Sequence, residues 1–315
     1  MQHQWARVCT RETSKQLREG ERDSAHLIFV TTGNNLPPMV TKKTIDPTTL
    51  FGLQHVISVE QYILVVFGAT LGTAIGSFVA AAGIRTTNEK SVISTPSSCD
   101  HCGEKLAIRD LVPVISFLAS RGQCRYCGAR LTWLYAGTEI SFAVVGGLVA
   151  SLADWDVVTI ATCLAIILLG ICAVSDFRAM LLPLPVMVSI GILGLASQIL
   201  DQGLDGAVSS LVASVTAIAT IGIPGLLYWL IRRTQGFGEG DYWLMGAIGA
   251  WMHGIEPIIL FYMATVLCLV AAIVEALRQQ KSLQYLEPKP IGAFISIVSI
   301  IYLTAKLCNL ALTKM

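Results

Sequence analysis

The sequence predicts an all-α fold, a polytopic membrane bundle of about eight transmembrane helices, and three observations carry that expectation. Of 315 residues, 54% are hydrophobic and only 14% are charged, against about 25% charged in a soluble domain. The apolar residues gather in long runs, and roughly 20 of them suffice for a helix to cross a bilayer. Strand-like alternation is absent and no internal repeat is visible, so helices are expected rather than a barrel. With 22 Lys and Arg against 21 Asp and Glu, the chain lacks the basic excess of a nucleic-acid binder; the partner its composition implies is a lipid bilayer.

In chain order the runs are 59–84, 134–153, 157–175, 184–200, 207–231, 242–252, 257–277 and 291–310. The sixth is short. Polar or Gly/Pro-rich segments separate them, as expected where the chain leaves the apolar phase.

Lys and Arg in short loops orient such a bundle. The 85–133 loop holds Arg85, Lys90, Lys105, Arg109, Arg121, Arg125 and Arg130. Arg178, then Arg232 and Arg233, then Arg278, Lys281 and Lys289 follow in alternate loops. The intervening turns, including Asp154-Trp155-Asp156, carry none. Eight spans therefore place thirteen of the 22 positive residues on the cytoplasmic side. The first 58 residues form a polar tail with seven more positives on the other side, a segment length at which the charge rule is weak evidence. Residues 1–38 lack the apolar core of a signal peptide, and Met39 offers a second start; the expectation is that 1–38 is dispensable or a start-site artefact.

Four of the nine cysteines form two C-x-x-C pairs, Cys99/Cys102 and Cys124/Cys127. Their separation is just beyond the usual spacing of paired zinc knuckles. Four thiolates suit tetrahedral zinc, and a polar loop this small needs a metal to fold. Disulfides or redox dithiols remain the alternative, disfavoured on a cytoplasmic loop. His101, between the first pair, reads as a solvated loop histidine. Cys163, Cys172, Cys268 and Cys308 lie in apolar runs and read as small core residues.

Asp176 ends an apolar run and precedes Leu182-Pro183, and Asp241 follows Gly236-Phe237-Gly238-Glu239-Gly240. The expected topology puts both at one depth on one side. Neighbouring carboxylates share a proton, so one can act as base on water while the other donates to a carbonyl oxygen, which is aspartic peptide hydrolysis. The alternating glycines would permit unusual backbone angles and close passage of a substrate strand. The pattern alone leaves catalysis level with a pair of interfacial charges.

Together these motifs resemble the type IV prepilin peptidases, bacterial inner-membrane aspartic proteases of the GxGD class, over about residues 70–300. Gly76-Ser77-Phe78 with Arg85, then Ser91, Pro96, Ser98 and Cys99, is similar to the family's first-span signature. Val112 to Leu118, Arg121-Gly122-x-Cys124-Arg125-x-Cys127, Tyr135 and Glu139 continue it. Asp176-x5-Leu182-Pro183, Gly236-x-Gly238-x-Gly240-Asp241, Gly246 to Trp251, and Pro290-Ile291-Gly292-Ala293-Phe294 match the second half. The resemblance implies cleavage of the leader of prepilins or pseudopilins at the cytoplasmic face, with Asp176 and Asp241 catalytic. It also implies S-adenosylmethionine-dependent N-methylation linked to the loop of Cys99, Cys102, Cys124 and Cys127, which would hold zinc. The organisation expected is a tail over 1–58, a first helix over 59–84, the zinc loop over 85–133 and a peptidase domain over 134–312. Ala80, Leu134, Ala136, Leu182, Leu184 and Ala293 depart from the family's usual residues, leaving a peptidase without methylation as one alternative. A transporter or pilus-assembly scaffold with a structural knuckle, its aspartates on an ion pathway, is the other.

Overall fold

The computed structural model describes residues 59–87, 97–99, 101–110, 112–280 and 289–314. The 1–58 tail, Lys90, Ser91, Pro96 and Lys281 of the sequence reading lie outside the described residues. The described part is helical apart from two isolated β-bridges.

Helix α1 (Val59–Thr87) lies along α3 (Trp133–Leu152), with the short α2 (Ile115–Ala119) between them in the chain. Gly68, Gly72 and Gly76, four residues apart, turn bare backbone toward Gly146, Phe142 and Thr138; a Cβ at Gly76 would sit 2.7 Å from the Thr138 carbonyl oxygen. Small residues at this spacing let helices approach where lipid offers no hydrophobic drive for association. Helix α4 (Val157–Ala179) is central, packed against α1, α5 (Leu184–Arg232) and α8 (Ile291–Lys314), with Ala165, Leu169 and Cys172 fully buried. Asp156 caps it, its Oδ1 accepting the Thr159 N–H at 2.7 Å, which satisfies one of the free amides of a helix N-terminus.

Six helices are long and apolar enough to cross a membrane among the described residues. The difference from eight has two physical causes. The first is α5, whose 49 residues break at Gly203 (φ 66°), a conformation that a side chain disfavours. Its limbs are the expected fourth and fifth runs, folded back so that Gly206 packs on the Gln198 carbonyl. The second is α6 (Glu239–Gly249), in the place of the sixth run. Eleven residues at 1.5 Å rise span about 16 Å, half a hydrocarbon core, so α6 is a half-helix and not a span. Both limbs of α5 hold it: the Trp251 indole N–H donates to the Ile190 carbonyl at 3.0 Å, and the Ser210 hydroxyl to the Ala250 carbonyl at 3.0 Å. Lys306 Nζ donates to the Trp251 carbonyl at 3.1 Å. The Ser210 and Lys306 bonds satisfy carbonyls of the irregular backbone before α7 (Glu256–Gln279), as irregular backbone at membrane depth requires.

Arg85, Arg178, Arg232 and Arg278 occupy the last turns of α1, α4, α5 and α7, where cations complement the helix dipole. Outward-facing Ile63, Phe67, Val215, Leu226 and Leu269 are exposed apolar side chains, a surface suited to lipid. The chain is a multi-pass membrane protein.

The α1–α3 contact predicts that Gly72→Leu lowers the thermal midpoint in detergent. Overpacking costs about 1–3 kcal/mol, and here the obstructing atoms are the Phe142 backbone. Gly137→Ala, where an added Cβ meets nothing within 4 Å, should leave that midpoint unchanged or slightly higher.

Candidate functional site

Asp176 sits in the last turn of α4, which ends when Met180 adopts a left-handed conformation (φ 51°). Asp241 sits in the first turn of α6, its Oδ2 accepting the Gly238 N–H at 3.0 Å while its own N–H donates to the Gly238 carbonyl. The structure brings the two together at one end of the bundle. A Cβ built on Gly292 would lie 3.0 Å from Asp241 Oδ1 and 3.1 Å from Asp176 Oδ2, so both oxygens stand around one point that glycine leaves open. Both aspartates are buried, at 5% and 7% exposure.

The support comes from α8. Its first turn has amides with no intrahelical acceptor, and Ala293 N–H donates to Asp176 Oδ2 at 2.6 Å. A helix N-terminus is a natural seat for a carboxylate. Leu182 closes the site from below, in contact range of Gly240 and Gly292 together. Burial first, and then the Asp176 charge, push the Asp241 carboxyl up to about 6 against the opposing Gly238 N–H. The glycines before Asp241 serve space rather than backbone angle, which corrects the expectation: none of Gly236, Gly238 and Gly240 has positive φ. Added Cβ atoms there would crowd Tyr228, Asp241 Oδ2 and Leu182 in turn.

The four cysteines also converge. Every pair of Sγ atoms lies within 4.8 Å, and Cys99 and Cys127 Sγ are 3.9 Å apart. Four ligands at about 2.3 Å from a tetrahedral metal stand ~3.8 Å apart. The thiols are free, so the group could hold a metal ion. The two knuckles repeat each other, which the sequence reading missed. Ser98 pairs with Lys105 and Gln123 with Arg130. Cys99 N–H bonds to the Glu104 carbonyl and Cys124 N–H to the Ala129 carbonyl. Gly103 (φ 73°) and Gly128 (φ 72°) turn each loop back. The signal was available as C-x-x-C-G-x-[K/R]-L, present twice. Backbone N–H groups of Cys127 and Tyr126 draw the Cys124 thiol down to about 7, whereas, against the Ala129 N–H, burial and the neighbouring thiols push Cys127 up to about 11, so the cluster gives up its first proton at Cys124. His101 is exposed and outside the cluster.

Arg178, two residues beyond Asp176, lines a cavity shared with Cys99 and Cys124, so the thiol cluster and the aspartates occupy the same end of the bundle. Fold and site together define a multi-pass membrane protein with paired buried carboxylates beside a four-thiol centre. Residues 70–153 match the Bacterial Peptidase A24 N-terminal domain and residues 163–274 the Type IV leader peptidase family. The chain belongs to the type IV leader peptidase family, with the cysteines in the first matched region and both aspartates in the second. Among its relatives, each called Prepilin leader peptidase/N-methyltransferase, the protein of Myxococcus xanthus is 25% identical over 190 residues, 60% of this chain and 56% of the relative. That of Neisseria gonorrhoeae is 28% identical over 58% of this chain and 64% of its own, and that of Bacillus subtilis 29% over 59% and 71%. The chain thus spans less than two thirds of the first two relatives. No solved structure matches it.

The buried Asp241 predicts a pH-dependent stability. Its folded value, about 6, exceeds the ordinary 3.8, so this group's contribution is present below pH 4 and lost as pH rises through 6. Asp241→Asn, which cannot ionise, should be more stable than the parent by ~1–3 kcal/mol above pH 7. Thermal melts in detergent should show the difference vanish toward pH 4; a constant difference across that range refutes it.

Proposed function

We propose that the chain is an aspartic endopeptidase that removes the leader from type IV prepilins or pseudopilins at the cytoplasmic face of a bacterial inner membrane, and then N-methylates the new terminus. The observation that carries the peptidase reading is the pair of buried carboxylates around the open point at Gly292. Asp241, pushed up to about 6, is the member that holds the shared proton and gives it to the scissile carbonyl oxygen. Asp176, seated on the α8 amides, takes the proton of the attacking water. The charge moves between two groups already in place, which is the preorganisation that lowers such barriers.

Methylation is supported by the names of the relatives, whose methyl donor would be S-adenosylmethionine. Cys99, Cys102, Cys124 and Cys127 would hold zinc, the metal a closed four-thiolate shell favours, and its part is to fold the loop. In this reading a zinc loop runs over 85–133 and a peptidase domain over 134–312. The orientation rests on the arginines in the last turns of α1, α4, α5 and α7 at the aspartate end.

Asp176→Asn and Asp241→Asn should each lower leader removal by at least a thousandfold with the protein still in the membrane. Mass spectrometry of a co-expressed prepilin reads the outcome, and normal processing by either variant sinks the assignment. Cys99→Ser should release bound zinc and lower methylation; elemental analysis finding unchanged metal would refute the four-thiolate site.

A further inference from the structure

We propose that a single buried water lies beneath the two aspartates, held by the Ser296 hydroxyl and by one oxygen of each carboxylate, and that Ser296 is through it a positioning residue of the dyad. This rests on the peptidase reading above and goes beyond it. The water is on the interior side of the carboxylates and is not the one that attacks the peptide.

Ser296 stands out by its hydrogen bonding. Buried polar groups are almost always paired, and an exception calls for a reason. Among the described residues two buried polar side-chain atoms have no partner, Ser296 Oγ and His253 Nε2. Ser296 is the more severe case, since the whole residue is 0% exposed. A helical serine can return its hydroxyl to the carbonyl three or four residues back. Ser175, Ser197, Ser299 and Thr304, all buried, do so at 2.7–2.8 Å. Ser210 instead gives its hydroxyl to the Ala250 carbonyl across a helix contact. The Ser296 hydroxyl does neither, and the cost of leaving it unpaired points to a partner that is not protein.

Position says which partner. Ser296 is four residues after Gly292 on α8, and residues so spaced share a helix face with Cβ atoms about 5–6 Å apart. A Cβ at 292 would lie 3.0 Å from Asp241 Oδ1 and 3.1 Å from Asp176 Oδ2, so both oxygens stand one turn along the same face. Side chains on a helix lean toward its N-terminus, which carries the Ser296 hydroxyl toward that pair. No direct bond forms, yet the separation suits one water with a hydrogen bond of about 2.8 Å on each side. Glycine at 292 keeps a side chain out of the way. Beyond Ser296 the helix runs inward, to buried Ser299 and Leu303, whereas the peptide arrives at the helix ends.

Donors and acceptors balance. Ser296 O–H donates to the water, and the two hydrogens of the water go to Asp176 Oδ2 and Asp241 Oδ1. Three protein partners is the usual number for buried water. Neither oxygen is in conflict with its backbone bond. Asp241 accepts the Gly238 N–H through Oδ2 rather than Oδ1, and Asp176 Oδ2, which accepts from Ala293, keeps a second lone pair. The water thus adds a fixed donor to two carboxylates already held by backbone amides. Groups preorganised in this way act on the chemical step rather than on substrate binding.

The test is steady-state cleavage of a purified prepilin by the full chain in lipid nanodiscs, together with its thermal midpoint. Ser296→Ala should lower kcat at least tenfold and leave KM within twofold, with a midpoint no higher than the parent's. Ser299→Ala, which removes a buried hydroxyl bonded to its own helix, should leave kcat unchanged; an equal loss there marks a general packing effect and overturns the proposal. Were the Ser296 hydroxyl without any partner, its removal would raise the midpoint, because an unpaired buried group is destabilising. An unchanged kcat in Ser296→Ala therefore overturns the proposal, as does a raised midpoint. A loss that appears in KM instead assigns the hydroxyl to substrate contact and overturns it too. Asp176→Asn separates this water from the reading it rests on. Loss of cleavage in Asp176→Asn beside an unchanged Ser296→Ala removes the water alone, whereas normal cleavage by Asp176→Asn removes the peptidase reading as well.

Discussion

A carboxylate withdrawn from water must be given back its hydrogen bonds, and Asp176 receives them from the first turn of a helix 117 residues further along the chain. That bond to Ala293 fixes much else. It requires α8 to begin at the depth where α4 ends, and so ties the centre of the bundle to its last helix. It requires a residue without a side chain at 292, because any Cβ there would push into both carboxylates and Leu182. It also orients Asp176 Oδ2 toward the space that Asp241 reaches from the other side.

The second demand is that α6 stop short. A helix that crossed the bilayer would present its N-terminus equally well, yet its C-terminal end would need no support. A half-helix needs its last carbonyls satisfied inside the bundle, and the Ser210 hydroxyl and the Lys306 amine do this, while the Trp251 indole N–H ties the same end to the Ile190 carbonyl of the other α5 limb. The packing is close because the contacts are small: Gly249 lies against Ser214 and Ala217, and Gly194 against Trp251. Rigidity around α6 passes to Asp241, which stands in its first turn. A carboxylate held up to about 6 by burial keeps that value only while water stays out, so packing around α6 bears on the protonation of the site.

Much of the site was legible before the fold was known, for reasons particular to its residues. Asp176 and Asp241 stand out because each interrupts apolar sequence beside Pro or Gly, and the four cysteines because C-x-x-C is a local geometry written in local spacing. Gly292 and Ala293 could be quoted only as part of a motif, since their chemistry is made by a helix terminus and a distant carboxylate. The half-helix escaped because hydropathy measures apolar length and does not report whether a segment crosses or stops; only its shortness hinted at it. The break at Gly203 within Asp201-Gln202-Gly203-Leu204-Asp205-Gly206 was placed correctly as a turn between two runs, although the helical limbs press closer to it than those runs suggested. The Gly68, Gly72, Gly76 row was visible by spacing, but its meaning depends on the partner helix that it meets.

The thiol loop and the aspartates answer the same problem by different means. In a polar loop with little core, two tight turns bring four sulfurs together, whereas the aspartates are set by the packing of long helices. The last turn of α4 joins the two, carrying Asp176 on one side and Arg178 on the other. Ser175 anchors that turn, its hydroxyl donating to the Ile171 carbonyl at 2.8 Å and lying 3.4 Å from the Gly83 carbonyl of α1. Gly83 itself abuts Val174. Because Arg85 at the end of α1 donates to the Ser97 hydroxyl beside the first knuckle at 3.4 Å, a shift of the loop would be felt at Gly83 and through it at the turn that aims Asp176. Contact between packed helices of this kind transmits displacement rather than absorbing it. The two sites are therefore mechanically one end of one bundle, though their chemistries are separate.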